Sequence, residues 1–327
     1  MQLKILLIGK YFSNYSHGAE VGIVHALDSL NGEKTSIVDY HAKRFFDDGY
    51  YGSEFFDAAL KYICKNTYDL ILAVGPGIPP DMAKLPHVKQ LLENNLSICW
   101  NSEPIRLPNY RAKFLEQRDL FHYWATFSED EVALYLNDGA KNSFFLPQAF
   151  NPEWYKPLGL DKNKLFCFVG SIGGKWNNRV PFLNRVRNIC PDATIKQTFN
   201  AQEVNQIYNH HRVGLNLGLY HKGLGPPEHL TSYGLQQRIF EYLGTGIIPL
   251  TNKPANLDST PQTAAMFTNM ENILYYENSS LEAMLRFCME SPEKLDILGK
   301  NVLKIREKHT YKARMKQLLN ILEVRYD

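Results

Sequence analysis

The sequence predicts an α/β protein of two doubly wound halves in tandem, each a parallel sheet with helices on both faces, set across a cleft. Three observations predict it. Short apolar runs alternate with segments of helical periodicity, the rhythm of a parallel sheet. The rhythm breaks once, in the proline-bearing stretch 147–163, and then restarts. The length, 327 residues, exceeds one typical domain and suits two.

In the first half, Leu3–Ile8 is a run apolar at every position but Lys4 and ending at Gly9, the mark of a strand buried on both faces. After the polar loop Lys10–Gly18, Ile23, Val24, Leu27 and Leu30 share one helical face. Thr35–Asp39 reads as a second strand. A helix carrying Phe55, Phe56, Ala59, Leu60 and Ile63 follows. Asp69–Val74 is a third strand, stopped by Gly-Pro-Gly. One helix over about Asp81–Asn94 leads to the strand Leu96–Trp100, and further units centre on Tyr123–Phe127 and Ser143–Leu146. The ligand side of such a sheet is the carboxyl end of its strands, so the loops after Ile8, Val74 and Trp100 are expected to face the cleft.

Pro147, Pro152 and Pro157 mark the linker. The domains expected are 1–155 and 156–311. In the second, Lys164–Val169 is a strand ending in a glycine-rich loop, and a helix starts near Arg179. Ala193–Lys196 is a short strand, Gln202–His210 a helix, and Val213–Leu217 a strand. The long Gly/Pro-rich loop Gly218–Ser232 precedes a helix over Gly234–Leu243 and a strand over Ile247–Leu250. Helices dominate after Ser279.

Composition narrows the function. A net charge of +2 carries no nucleic-acid footprint. Five scattered cysteines without a CxxC pair argue against a disulfide framework or a zinc site and for a reducing compartment. The N-terminal apolar run is too short for a signal peptide, and no stretch reaches the length of a membrane span. The location expected is the cytoplasm or the inner face of a membrane. The run Lys300–Lys316 mixes basic and apolar residues, a pattern shared by a solvated helix face and by a helix in peripheral membrane contact. Four histidines, His210, His211, His221 and His229, have no ligand spacing, so no metal is expected.

Two segments carry chemistry. In Gly170–Arg179, glycines such as Gly173 let the backbone approach a phosphate, the helix that follows favours an anion, and Lys175 and Arg179 add positive charge. The loop has neither P-loop spacing nor a GxGxxG fingerprint, and an ordinary turn with two solvated basic residues has the same letters. In Tyr233–Gly246, Leu235, Ile239 and Leu243 face one way with Phe240 beside them, and Glu241 lies among them. A carboxylate near an interior needs partners or a function; the vicinal diol of a ribose is a bidentate donor to it. A half-exposed glutamate on an amphipathic helix fits the same periodicity.

Five segments in order resemble the group-1 glycosyltransferases of the GT-B fold, with two Rossmann-like domains, and within them the CgeB-like (spore maturation protein-like) branch. They are Phe144–Pro157, Phe168–Ser171, Ile207-Tyr208 through Asn216, Arg238–Gly246 and His309–Arg314. The resemblance covers the second half most fully. It implies a metal-independent enzyme with no cofactor, moving a hexosyl group from a nucleoside-diphosphate sugar, its substrate, to a glycan, protein, lipid or small-molecule acceptor. Glu241 would hold the nucleotide ribose, and Lys175 and Arg179 the diphosphate. Asn216, Gln237 and Arg238 would complete the donor site, and a helix over about 312–327 would return to the first domain. Tyr233 stands where many group-1 enzymes carry the first glutamate of an Glu-x7-Glu pair, so retaining chemistry is not implied.

The acceptor is expected on the first domain, where His17 and Glu103 lie at strand ends and either could take a proton from an acceptor hydroxyl. A polar loop residue and a capping or ion-pairing carboxylate are the plainer readings of the two. A non-catalytic coat or assembly protein and a sugar-nucleotide epimerase share the fold. A dinucleotide dehydrogenase is disfavoured because Gly9-Lys-Tyr-Phe lacks its fingerprint.

Overall fold

The computed structural model describes residues 3–10, 19–32, 34–39, 60–172, 179–198, 200–217, 234–277 and 279–324. The chain divides into two compact units. Among the described residues, the first runs to Pro147 and resumes at Tyr311; the second is Gln148–Thr310.

The first unit holds six parallel strands, β1 (Ile5–Gly9), β2 (Ser36–Asp39), β3 (Leu70–Val74), β4 (Ser97–Asn101), β5 (Tyr123–Thr126) and β6 (Ser143–Phe145), in the order β2-β1-β3-β4-β5-β6. Every residue of β1, β3 and β4 is buried, as expected of parallel strands covered on both faces. Its described helices are α1 (Ala19–Asn31), α2 (Pro80–Lys84), α3 (Pro86–Asn94), α4 (Pro108–Gln117), α5 (Val132–Asn137) and, at the far end of the chain, α12 (Tyr311–Ile321).

The second unit holds five parallel strands, β7 (Lys164–Val169), β8 (Thr194–Lys196), β9 (His211–Asn216), β10 (Ile248–Asn252) and β11 (Leu274–Tyr276), in the order β11-β10-β9-β7-β8. Its helices are α6 (Arg179–Ile189), α7 (Ala201–His210), α8 (Gln237–Thr245), α9 (Pro261–Ala264), α10 (Leu281–Glu290) and α11 (Pro292–Ile305). Both sheets reverse their winding beside their first strand, between β1 and β3 and between β7 and β9. These are the points where doubly wound sheets place ligands.

Two segments differ from the sequence expectation. The single helix over Asp81–Asn94 is two helices, because Leu85 precedes a proline and takes an extended conformation at φ −71°, ψ 124°. Pro86 then opens α3, where its missing N–H is no loss. The basic run Lys300–Lys316 is no continuous helix either. It passes from α11 through a 3-10 turn at Arg306–His309 and an extended Thr310 into α12. The Phe55–Ala59 part of the second expected helix lies outside the described residues.

Helix α12 packs on α1, with Lys312 Nζ donating to Ser29 Oγ at 2.8 Å. Tyr311 meets Trp100 edge-on at 6.2 Å between ring centroids. The buried Arg314 donates from Nε to the Pro147 carbonyl at 3.1 Å. Trp100 anchors the same region by donating to the Leu146 carbonyl at 3.0 Å. Among the described residues no helix is long and apolar enough to cross a membrane.

Candidate functional site

In the second unit, β7 and β9 run side by side and end at the switch point, and α8 begins there. Beyond Val169, Gly170 takes φ +155°, and a Cβ on it would run into the Arg238 guanidinium. Glycine is therefore required twice, for the backbone angle and for the approach of Arg238. Arg238, in the first turn of α8, lies 5.0 Å from the centroid of the Phe168 ring, and Arg179 lies 5.8 Å from the same ring. One aromatic ring thus steadies two cations.

The two arginines differ in what they offer. Arg179 is buried, and its Nη1 donates to the Ser171 carbonyl at 2.8 Å, holding the loop after β7. Arg238 is half-buried; its Nη1 reaches Asn216 Oδ1 at 3.5 Å. Asn216, the last residue of β9, is buried and donates from Nδ2 to Thr251 Oγ1 at 3.0 Å. It sets the edge against which Arg238 rests.

Glu241 lies one turn along α8 from Arg238 and is half-buried. Burial pushes its carboxyl up to about 7. The Arg238 charge and hydrogen bonds with Tyr155 and Gln237 oppose that rise. Beneath it lies a tyrosine cluster. Tyr155 stacks on Tyr208 at 6.3 Å, Tyr208 meets Tyr242 edge-on at 4.8 Å, and the Tyr242 hydroxyl donates to the Leu215 carbonyl at 2.8 Å. Gly214 makes room for that ring, since a Cβ there would stand 2.6 Å from it. The helix ends at Gly246, left-handed at φ 70°, whose N–H closes back onto Leu243 and Tyr242.

The structure thus gathers Arg179, Asn216, Gln237, Arg238 and Glu241 at one strand edge. Gly173 and Lys175, and with them the loop Gly218–Ser232, lie outside the described residues. So does His17.

Glu103 belongs to the first unit, just beyond β4. Its N–H donates to Asn101 Oδ1 at 2.8 Å, and Asn101 Nδ2 donates to the Tyr135 hydroxyl at 2.6 Å. The Tyr110 hydroxyl is hydrogen-bonded with the Glu103 carboxylate, and burial with that negative neighbour pushes Tyr110 up to about 12. The loop's other anchor is Glu131, 0% exposed, which accepts the Arg106 N–H at 3.2 Å. Burial pushes it up to about 7 against the pull of the Arg106 and Ile105 backbone N–H groups and the Arg106 charge. Glu20, also buried, closes the end of β1 by accepting the Lys10 N–H at 3.2 Å, with its stem against Gly9.

Sequence reasoning missed Tyr155, Glu131 and Glu20. Tyr155 had a signal: the pair Trp154-Tyr155 is bulky and aromatic inside a segment otherwise read as linker. The two glutamates had none, since Glu20 opens a helix where an acidic residue is ordinary and Glu131 follows Glu129 and Asp130 in an acidic run, and the burial of each depends on the neighbouring strand. His211 is a satisfied core residue. Its Nδ1 meets the Ile207 carbonyl at 2.5 Å and its Nε2 meets Thr194 Oγ1 at 2.8 Å, and burial lowers it to about 4. Among the described residues no three His, Cys, Asp or Glu side chains group to hold a metal.

Comparison with known proteins agrees with this geometry. The family described as glycosyl transferase-like matches residues 154–320. No curated protein matches the chain in sequence. Among solved structures, HepE of Anabaena in complex with UDP-glucose shares 12% identity at a TM-score of 0.63, covering 98% of this chain and 100% of its own. Sucrose-phosphate synthase of Thermosynechococcus elongatus shares 10% at 0.60, over 98% and 99%. The catalytic domain of starch synthase IV of Arabidopsis thaliana, bound to ADP and acarbose, shares 9% at 0.66, over 99% of both chains. At these identities the likeness establishes the fold, the two parallel sheets of the GT-B glycosyltransferases. The family match establishes the rest: the chain belongs to the glycosyl transferase-like family.

Proposed function

We propose that this protein transfers a hexosyl group from a nucleoside-diphosphate sugar to an acceptor hydroxyl, without a metal, in the cytoplasm or at the inner face of a membrane. The observation that carries the reading is the pair Arg238 and Glu241, set one turn apart on α8 at the sheet's switch point, with the Arg238 guanidinium close against the backbone of Gly170. A guanidinium held at a strand end suits a diphosphate, and a carboxylate one turn further suits the ribose diol. Arg179 holds the loop after β7 by its bond to the Ser171 carbonyl. Lys175 and Gly173, on the same loop in the sequence, are assigned to the diphosphate.

In the reaction, the acceptor oxygen bonds to the anomeric carbon as that carbon's bond to the diphosphate breaks. Arg238 and Lys175 stabilise the charge gathering on the leaving oxygen. Glu103 and His17 are the candidates to take the acceptor's proton. UDP-glucose and ADP, named with HepE and starch synthase IV, suggest a uridine or adenosine diphosphate donor. Five free cysteines support a reducing compartment, and the ordered motifs support the CgeB-like branch.

Calorimetry with UDP and ADP, followed by release of free sugar from the matching sugar nucleotide, tests the reading. Binding that Glu241→Ala abolishes supports it. Equal affinity in that variant overturns the ribose assignment, and absence of binding to every nucleoside diphosphate overturns the function.

A further inference from the structure

The second unit has another cavity at the opposite end of its sheet, at the amino ends of β7, β9 and β10. Its volume is about 320 Å³, and its walls include Lys162, Arg212, Asp296, Lys300, Ile248 and Leu295. That size lies at the lower end of small-molecule sites. Three cations and one carboxylate line it, in a protein whose charges are otherwise nearly balanced.

The cations are unequally served. Arg212 is committed: its Nη2 donates to the Pro292 carbonyl at 2.8 Å and is ion-paired with Asp296. Lys162 is half-buried and has no carboxylate partner among the described residues. Its Nζ donates to the Gly246 carbonyl at 2.8 Å and the Thr245 carbonyl at 3.4 Å. An ammonium drawn out of water with only carbonyls to meet it is an incompletely compensated charge. Burial, with Arg212 adding to it, lowers Lys162 to about 8. Lys300, exposed on α11, stands at the same rim.

We propose that this cavity is a binding site for an oxyanion, the phosphate group of a small phosphorylated compound, with Lys162 as its half-buried counter-charge and Lys300 as its outer arm. The site is separate from the donor site and does not depend on the proposed activity. The apolar floor of Ile248 and Leu295 leaves space for the body of the compound behind its charged group.

The titratable and charged groups facing Lys162 are Cys167 on β7, His211 and Arg212 on β9, and Asp296 and Lys300 on α11. A bound anion holds the Lys162 proton, so affinity is full by about pH 7 and falls as pH rises through about 8, where the free lysine loses its proton.

The test uses the full chain saturated with UDP, so that the donor site is closed to the probe. Sulfate, whose own charge is fixed across the range, is titrated by calorimetry between about pH 7 and pH 9. The expected result is saturable binding that weakens about tenfold over that range, as linkage to one lysine titrating near 8 requires. Lys162→Met is expected to abolish it, and Lys300→Ala to weaken it while keeping the pH dependence. The second variant alters an exposed residue and keeps the test valid if the first fails to fold. A sugar phosphate that binds more tightly than sulfate or inorganic phosphate identifies the organic body as part of the ligand; inorganic phosphate binding equally well restricts the site to the free ion and overturns the assignment to a phosphorylated compound. Absence of saturable sulfate binding, equal binding in Lys162→Met, or affinity flat with pH overturns the site. A protein that binds no nucleoside diphosphate but binds sulfate in this Lys162-dependent manner refutes the donor reading and leaves the oxyanion site standing.

Discussion

The Arg238 guanidinium occupies the space that a side chain on Gly170 would fill, so a strand end and the first turn of a helix meet with no atom to spare. Gly170→Ala must both move that guanidinium and hold φ near +155°. The backbone alone costs about 1 kcal/mol or more. We expect UDP affinity to fall at least about tenfold, equivalent to a loss of about 1.4 kcal/mol, with a smaller drop in melting temperature. Calorimetry beside thermal unfolding checks it; unchanged affinity would show that Arg238 does not meet the nucleotide.

Glu241 sets a pH signature. Its carboxyl is raised from 4.5 to about 7, so its contribution to stability is full below the unfolded value and is lost as pH rises through 7. Glu241→Gln is therefore expected to be more stable than the parent at about pH 8, by up to about 3 kcal/mol, and to lose nucleotide affinity. In the parent, nucleotide affinity falls as pH drops below about 7, where the carboxylate that accepts the diol is protonated. Glu131, raised to about 7 by burial, adds a parallel stability slope, so the comparison must be made between variant and parent at each pH.

Gly244→Ala runs against helix propensity. Inside α8 the change would ordinarily stabilise by about 1 kcal/mol. Here the new methyl would stand 2.7 Å from the Tyr155 carbonyl and from the Phe150 ring, and overpacking of that kind costs about 1–3 kcal/mol. We expect a net loss of stability, read as a lower denaturant midpoint. A gain would mean that the Phe150–Tyr155 segment yields easily.

Arg314→Ala removes the donor that holds the Pro147 carbonyl together with the packing of a long buried stem. A loss of about 2–4 kcal/mol is expected, confined to the first unit. Hydrogen exchange checks it: protection should fall in β1, β3 and β4 and stay unchanged in β7 and β9.

Most of the architecture was legible because both sheets are parallel and buried. Such strands are written as unbroken apolar runs, as in β3, and Lys164–Val169 was read to the residue. The split at Leu85-Pro86 was legible in principle, since a pre-proline residue avoids the helical region, but the apolar periodicity on both sides masked it. Glu241 announced itself as a carboxylate among apolar neighbours. The partners that decide its chemistry did not: Tyr155 reaches it from 86 positions away in sequence, and Phe168 gathers Arg179 and Arg238 from the starts of two different helices. Local pattern carries no information on such meetings.

The docking of α12 on α1 spans 283 residues between Ser29 and Lys312. Of the two units, the one that begins the chain is thus the one completed last. During synthesis the segment Gln148–Thr310 emerges with all of its own sheet and can close while the earlier strands still lack their final helix. The early strands must wait through the translation of the whole second unit with apolar surface uncovered, the state most exposed to aggregation and to chaperone capture. A chain released after Thr310 would carry a finished second unit beside an unfinished first one.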